Sequence, residues 1–202
     1  MSIQERRARE RAERERLIVS AARDLAEAEG WDAVTTRRLA AEIEYSQPVL
    51  YSHFAGKSAI MTAVALEGIA ELTGRMAAVR AAADDARRAL ADVAAAYFAF
   101  ADERPALYDA MFSRAVELPF ASADSPAELR AAFAELVAVV RPFADGDEPE
   151  TVAETFWSGL HGLVTLLRDG RLRREEHAAR LKALVRRFTP GADQAAPPGS
   201  RP

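Results

Sequence analysis

Alanine recurs along almost the whole of this chain of 202 residues, and nowhere is an alternation of β-branched and polar residues sustained. Alanine enters a helix with no loss of side-chain entropy, whereas a half-buried strand needs that period of two. The chain is therefore expected to be all-α. Half of its residues are hydrophobic, enough to bury a core in one or two domains. It contains no cysteine, which removes disulfides, thiolate metal sites and thiol nucleophiles and fits a cytoplasmic location. The basic N-terminal residues are followed by no apolar run, against a secretory leader. Charges interrupt every apolar stretch, against a membrane span.

Punctuation divides the chain into helices. Residues 5–29 read as one, its first half charged, with Glu5/Arg9 and Glu10/Arg14 at i,i+4 spacing. Its second half is amphipathic, with Ile18, Ala21, Ala22, Leu25 and Ala28 on one face. Gly30 is the expected left-handed stop, and Trp31 is expected to fold back on the helix end. Thr35 caps a short helix whose buried stripe is Leu39, Ala40 and Ile43. Ser46 caps a second over Gln47 to Phe54, with Pro48 in its first turn, where a missing N–H breaks no helical bond. A long helix follows from Lys57 to about Ala82. Further helices are expected at 84–102, 104–113, 126–143, 148–169 and 174–188. Ser125, Pro126 and Glu128 spell a capping box for the third of these. Residues 190–202, rich in Pro, Gly and Ala, are expected to be disordered.

Two helices of about seven residues, joined by a short turn, are too short to persist alone. They make sense clamped between a preceding and a following helix, which is the build of a helix-turn-helix. On the second short helix Leu50 and Phe54 face inward, leaving Gln47, Pro48, Tyr51 and Ser52 outside. Glutamine can bond adenine in bidentate fashion, and Pro48 or Val49 can touch a thymine methyl. Tyr51, His53 and Lys57, with Thr36 and Arg37 across the turn, are placed for phosphates, and Ser46 opens the same helix. Residues 1–57 carry ten Lys/Arg against ten Asp/Glu, so the net charge of −4 lies wholly after Lys57. A neutral head on an acidic body permits local basic patches.

The run from Val34 to Lys57 resembles the signature of the TetR family of transcriptional regulators. The family pattern of Thr, a Leu-Ala pair, a turn, then Leu-Tyr-x-x-Phe-x-x-Lys falls on Thr36, Leu39-Ala40, Leu50-Tyr51, Phe54 and Lys57. The likeness extends over residues 11–71, with one departure: the turn carries Glu44 where the family has glycine. Phe156 to Gly162 resembles a Trp-x-x-x-His-Gly signature of one subgroup's C-terminal domain, placing Trp157 and His161 on one helix face. Gly159 and Gly162 would there admit another helix closely.

The resemblance implies an N-terminal extension at 1–10, a DNA-binding domain at 11–71, an effector-binding and dimerising helical bundle at 72–189, and a tail. It implies a homodimer, whose last two helices form a four-helix bundle with their mates, and a double-stranded DNA operator. It also implies a largely apolar small-molecule effector between the middle helices, which carry Tyr97, Phe98, Phe100, Tyr108, Met111 and Phe112, with Trp157 and His161 nearby. Repression is the family default; an activator or an effector-independent DNA-binding protein is the alternative. No cofactor, metal or enzymatic activity is expected: the three histidines form no HExxH and no glycine-rich phosphate loop is present. His177 is expected on the surface.

Overall fold

The computed structural model describes residues 2–112, 116, 118–120 and 122–189. The tail expected to be disordered at 190–202 therefore lies outside the described residues, as does the end of the helix expected at 104–113. Among the described residues there are nine α-helices and no strand. In chain order they are α1 (Ile3–Glu29), α2 (Thr36–Glu42), α3 (Gln47–His53), α4 (Lys57–Ala82), α5 (Ala86–Glu103), α6 (Pro105–Phe112), α7 (Ala127–Val140), α8 (Pro149–Arg168) and α9 (His177–Phe188). The expected ends of α7 and start of α9 tighten into 3₁₀ turns at Arg141–Phe143 and Arg174–Glu176. None of these helices is long and apolar enough to cross a membrane.

The described residues form two compact units, one within 1–71 and 100–130, the other within 72–99 and 131–202, so that α4, α5 and α7 contribute to each. In the first, α1 begins two residues earlier than the charge pattern indicates. The Ser2 hydroxyl accepts from the Glu5 N–H, and the Glu5 carboxylate accepts from the Ser2 N–H, a capping box. Glu5 is thus spent on the cap, and the ion pairs run in the opposite register to that expected: Arg6–Glu10 at 3.7 Å, Arg9–Glu13 at 3.0 Å and Arg11–Glu15 at 2.8 Å. The buried stripe is also rotated. Ile18, Val19, Ala22, Leu25 and Ala26 are inside, while Ala28 is exposed.

Gly30 ends α1 at φ 83°, ψ 164°, a region open almost solely to glycine but not the left-handed helical one. Trp31 follows it and reaches across to α6. Its indole N–H donates to the Ala106 carbonyl of α6 at 2.8 Å. Glu27 completes the join, its carboxylate accepting from the Ala106 and Leu107 N–H groups at 3.2 Å each. These are donors that the first turn of a helix leaves without partners. Farther along α6, Met111 lies over Gly68 of α4, where a Cβ would come within 3.0 Å of its sulfur. Ser125 does not cap α7. Its hydroxyl is turned into the preceding loop, donating to the Pro119 carbonyl and accepting from the Ser122 N–H.

The second unit is built on Leu90, Val93, Tyr97, Val140, Phe156 and Leu160, all essentially buried. Phe156 meets Phe188 edge-on with ring centres 5.0 Å apart. Gly159 lets α9 approach α8, since a Cβ there would lie 2.8 Å from a Leu184 methyl, whereas Gly162 has open space. His177 is not a bare surface residue: its ring lies 4.2 Å from that of Phe98.

Candidate nucleic-acid interface

The turn between α2 and α3 is set by backbone hydrogen bonds. The Tyr45 N–H reaches the Ala40 carbonyl at 2.8 Å and the Glu44 N–H reaches that of Ala41 at 3.3 Å, the crossed pattern that closes a helix through a left-handed residue. That residue is Glu44, at φ 56°. Its side chain is exposed, so the conformation is imposed by the turn and not by a buried contact. Glu44→Gly is accordingly expected to stabilise the protein by up to about 1 kcal/mol, relief of left-handed strain exceeding the entropy glycine adds to the unfolded chain. Urea unfolding measures it. A loss above about 2 kcal/mol would assign Glu44 a specific contact.

Helix α3 is anchored by Leu50, its one buried residue, 1% exposed. The residues expected to read bases, Gln47, Pro48 and Val49, are exposed, as are Ser46, Tyr51 and Ser52. Ser46 stands at the N-cap without a side-chain cap bond. Tyr51 shares a hydrogen bond with Thr36 of α2, O to O 3.3 Å, which joins the two short helices at their outer face. The Ser52 hydroxyl donates back to the Val49 carbonyl at 2.6 Å. Thr35 caps α2 by accepting from the Arg38 N–H at 3.1 Å.

Of the residues expected on phosphates, the structure separates two groups. Arg37 is exposed beside Thr36. Its neighbour Arg38 turns the other way and clasps Glu29 of α1 through its two terminal guanidinium nitrogens, holding that carboxyl below its ordinary value. His53 and Lys57, by contrast, are turned to protein partners. The His53 side chain is only 5% exposed, with Nδ1 3.3 Å from a Glu15 carboxylate oxygen. The Lys57 ammonium donates to the Trp31 carbonyl. Sequence spacing could not reveal this, because the partners lie 38 and 26 residues away.

The aromatic residues expected near an effector fall into the two units. Tyr108 and Met111 are buried in the first, where Phe112 stacks at a tilt on Tyr108 with centres 4.8 Å apart. In the second, the Trp157 indole N–H donates to the Tyr97 hydroxyl at 3.1 Å. The Trp157 and His161 rings lie one turn apart on α8, centres 5.8 Å apart. Burial holds the His161 imidazole below its ordinary value, because desolvation penalises the cation. The neutral ring's contribution to stability is then complete above the unfolded value of about 6.5 and is lost as pH falls below it. His161→Phe is expected to flatten that acid limb in thermal unfolding; an unchanged limb would refute the assignment.

The comparisons agree with this geometry. The family described as bacterial regulatory proteins of the tetR family matches residues 18–64, and that described as the tetracyclin repressor-like C-terminal domain matches residues 90–188. An uncharacterized HTH-type transcriptional regulator of Mycobacterium tuberculosis is 33% identical over 159 residues, covering 76% of this chain and 69% of its own. A protein of unknown function from Rhodococcus sp. RHA1 superposes with a TM-score of 0.71 at 25% identity, over 86% of this chain and 92% of its own. The transcriptional regulator FadR from Bacillus subtilis, solved in complex with stearoyl-CoA, does so with a TM-score of 0.63 at 15% identity, over 84% and 97%. With a paired α2–α3 whose outer face carries Gln47, Pro48 and Tyr51, the chain belongs to the TetR family of DNA-binding transcriptional regulators.

Proposed function

We propose that the protein is a repressor that holds a palindromic operator as a homodimer and leaves it when a largely apolar small molecule binds. The observation that carries the reading is the division of α3 into one buried anchor, Leu50, and an exposed face of Gln47, Pro48, Val49 and Tyr51. That is the division a helix needs to lie in a major groove. In support of a homodimer, α9 is strongly amphipathic yet has no fully buried residue, and Leu166 of α8 is exposed. Two heads related by a two-fold axis would read half-sites about one helical turn, ~34–36 Å, apart.

Effector contact is proposed at Tyr108, Met111 and Phe112 in the first unit and at Tyr97, Trp157 and His161 in the second. These side chains offer apolar surface with a few hydrogen-bonding groups and no fixed charge, which suits an apolar ligand. A regulator of the same fold, FadR from Bacillus subtilis, was solved in complex with stearoyl-CoA, whose long acyl chain is apolar although its CoA portion is charged. An effector releases DNA only through a higher affinity for the conformer that no longer fits the half-site spacing.

Selection of bound DNA from a random pool supplies the operator and tests its symmetry. On that operator Gln47→Ala is expected to cost roughly 1–3 kcal/mol at a single base position and to leave non-specific binding unchanged. Arg37→Ala is expected to weaken specific and random DNA alike and to flatten the salt dependence by about one unit per half-site. Identical behaviour of the two variants in a salt titration would overturn the assignment of α3 as the reading helix.

A further inference from the structure

The charged first half of α1 has a partner that its i,i+4 pairing does not reveal. The Arg11 guanidinium spans two elements, with Nε 2.8 Å from Glu15 Oε1 and Nη2 donating to the Ser52 carbonyl of α3 at 3.3 Å. The same Glu15 oxygen receives His53 Nδ1, the last residue of α3, at 3.3 Å. A carboxylate only accepts, so Nδ1 carries the hydrogen. Ser52 and His53 belong to the final turn of α3, whose carbonyls have no helical partner and whose dipole favours a cation.

A seven-residue helix with one fully buried residue, Leu50, is held in depth there, while its roll and the placement of its far end depend on other contacts. Reading a base edge tolerates only about 0.5 Å of misplacement. The Thr36–Tyr51 bond steadies one side of α3. On the α1 side the grip on its C-terminal turn comes from Arg11 and Glu15. We propose that Arg11 and Glu15 of α1 are positioning residues that fix the orientation of the DNA-reading helix by gripping its last turn through Ser52 and His53, and so set operator specificity without touching DNA. The inference rests on α3 being the reading helix. It also assigns a role to the extension of α1 beyond Ile18, the first fully buried residue of that helix: the extra turns carry the grip to the far end of α3.

Arg11 is exposed, so its substitutions leave the core intact, and thermal midpoints check that they do. Arg11→Lys keeps the positive charge but lacks the planar fork that serves Glu15 and Ser52 together. Arg11→Gln removes the charge. If Arg11 positions α3, both variants lower the ratio of operator to random-DNA affinity by about tenfold, and the salt slope stays that of the wild type. Glu15→Gln lowers the same ratio in the same direction. If instead Arg11 holds a phosphate, Arg11→Gln flattens the salt slope by about one unit per half-site and Arg11→Lys restores it, which overturns the proposal. An unchanged ratio in all three variants overturns it as well. Gln47→Ala measured alongside separates the two levels. Loss of discrimination there with none in the Arg11 and Glu15 variants refutes the grip alone, and no loss anywhere refutes α3 as the reading helix.

Discussion

Leu50→Ala is expected to abolish operator recognition, bringing the selected operator down to the affinity of random DNA, a fall of roughly a thousandfold or more. A buried leucine cut to alanine costs about 2–5 kcal/mol, according to how far the site can collapse. In a long helix that loss is shared over many contacts. Here it falls on a helix of seven residues in which Leu50 is the one fully buried residue, and a helix so short has no stability of its own to draw on. The loss is therefore local: α3 loosens while the remaining helices persist. Circular dichroism should show nearly full helicity beside the missing specificity. Leu50→Met, close in volume, is expected to cost less than about 1.5 kcal/mol and to retain specific binding. A Leu50→Ala protein that still held the operator within about threefold of the wild type would mean that α3 is secured by something other than its anchor.

Phe156→Ala is expected to cost about 3–5 kcal/mol, the largest effect of any single side chain considered. The ring is fully buried and is met edge-on by Phe188 at 5.0 Å. Removing it takes away both transfer free energy and the partner of a second ring. Against a total stability of about 5–15 kcal/mol this leaves α8 and α9 only marginally joined. Urea unfolding should show a midpoint far below that of the wild type, and Phe156→Leu should recover much of the difference by refilling the cavity. A loss under about 1 kcal/mol would show that the surrounding side chains collapse into the space.

How far the sequence disclosed this structure depended on the range of the interaction involved. Local signals were read well. Thr35 caps α2, α4 runs from Lys57 to Ala82, and α8 ends within a residue of the expected place. Leu39, Ala40 and Leu50 are buried. The early start of α1 was also written locally, in Ser2 and Glu5, and was masked by the more conspicuous Arg/Glu alternation that follows. What escaped was tertiary. The pairing register in α1 depends on which carboxylates are drawn elsewhere, Glu5 to Ser2 and Glu15 to His53. Ser125 has the spacing of a cap but is taken by a carbonyl in its own loop. Trp31 is bound to α6 by a hydrogen bond that the spacing at the end of α1 does not indicate. Each of these is a competition between two hydrogen-bond partners, and a linear pattern names only one of them.

In the site itself, the exposed face of α3 was legible because it is the complement of one buried leucine. The inward turn of His53 and Lys57 was not, since long polar side chains choose among partners that only the fold brings near. Glu15, Arg11, Glu27 and Glu29 were missed for the same reason: within α1 they read as one more solvated turn.

The protein has two tryptophans, and the fold gives one to each compact unit. Trp31 is hydrogen-bonded to a backbone carbonyl of α6, Trp157 to the phenol of Tyr97. An indole's emission shifts with the polarity around it, so the chain carries a separate optical reporter for each half. Trp31→Phe leaves an emission that follows the second unit alone, and Trp157→Phe one that follows the first. Fluorescence then records which half responds first to a bound molecule, to denaturant or to DNA, without any label attached.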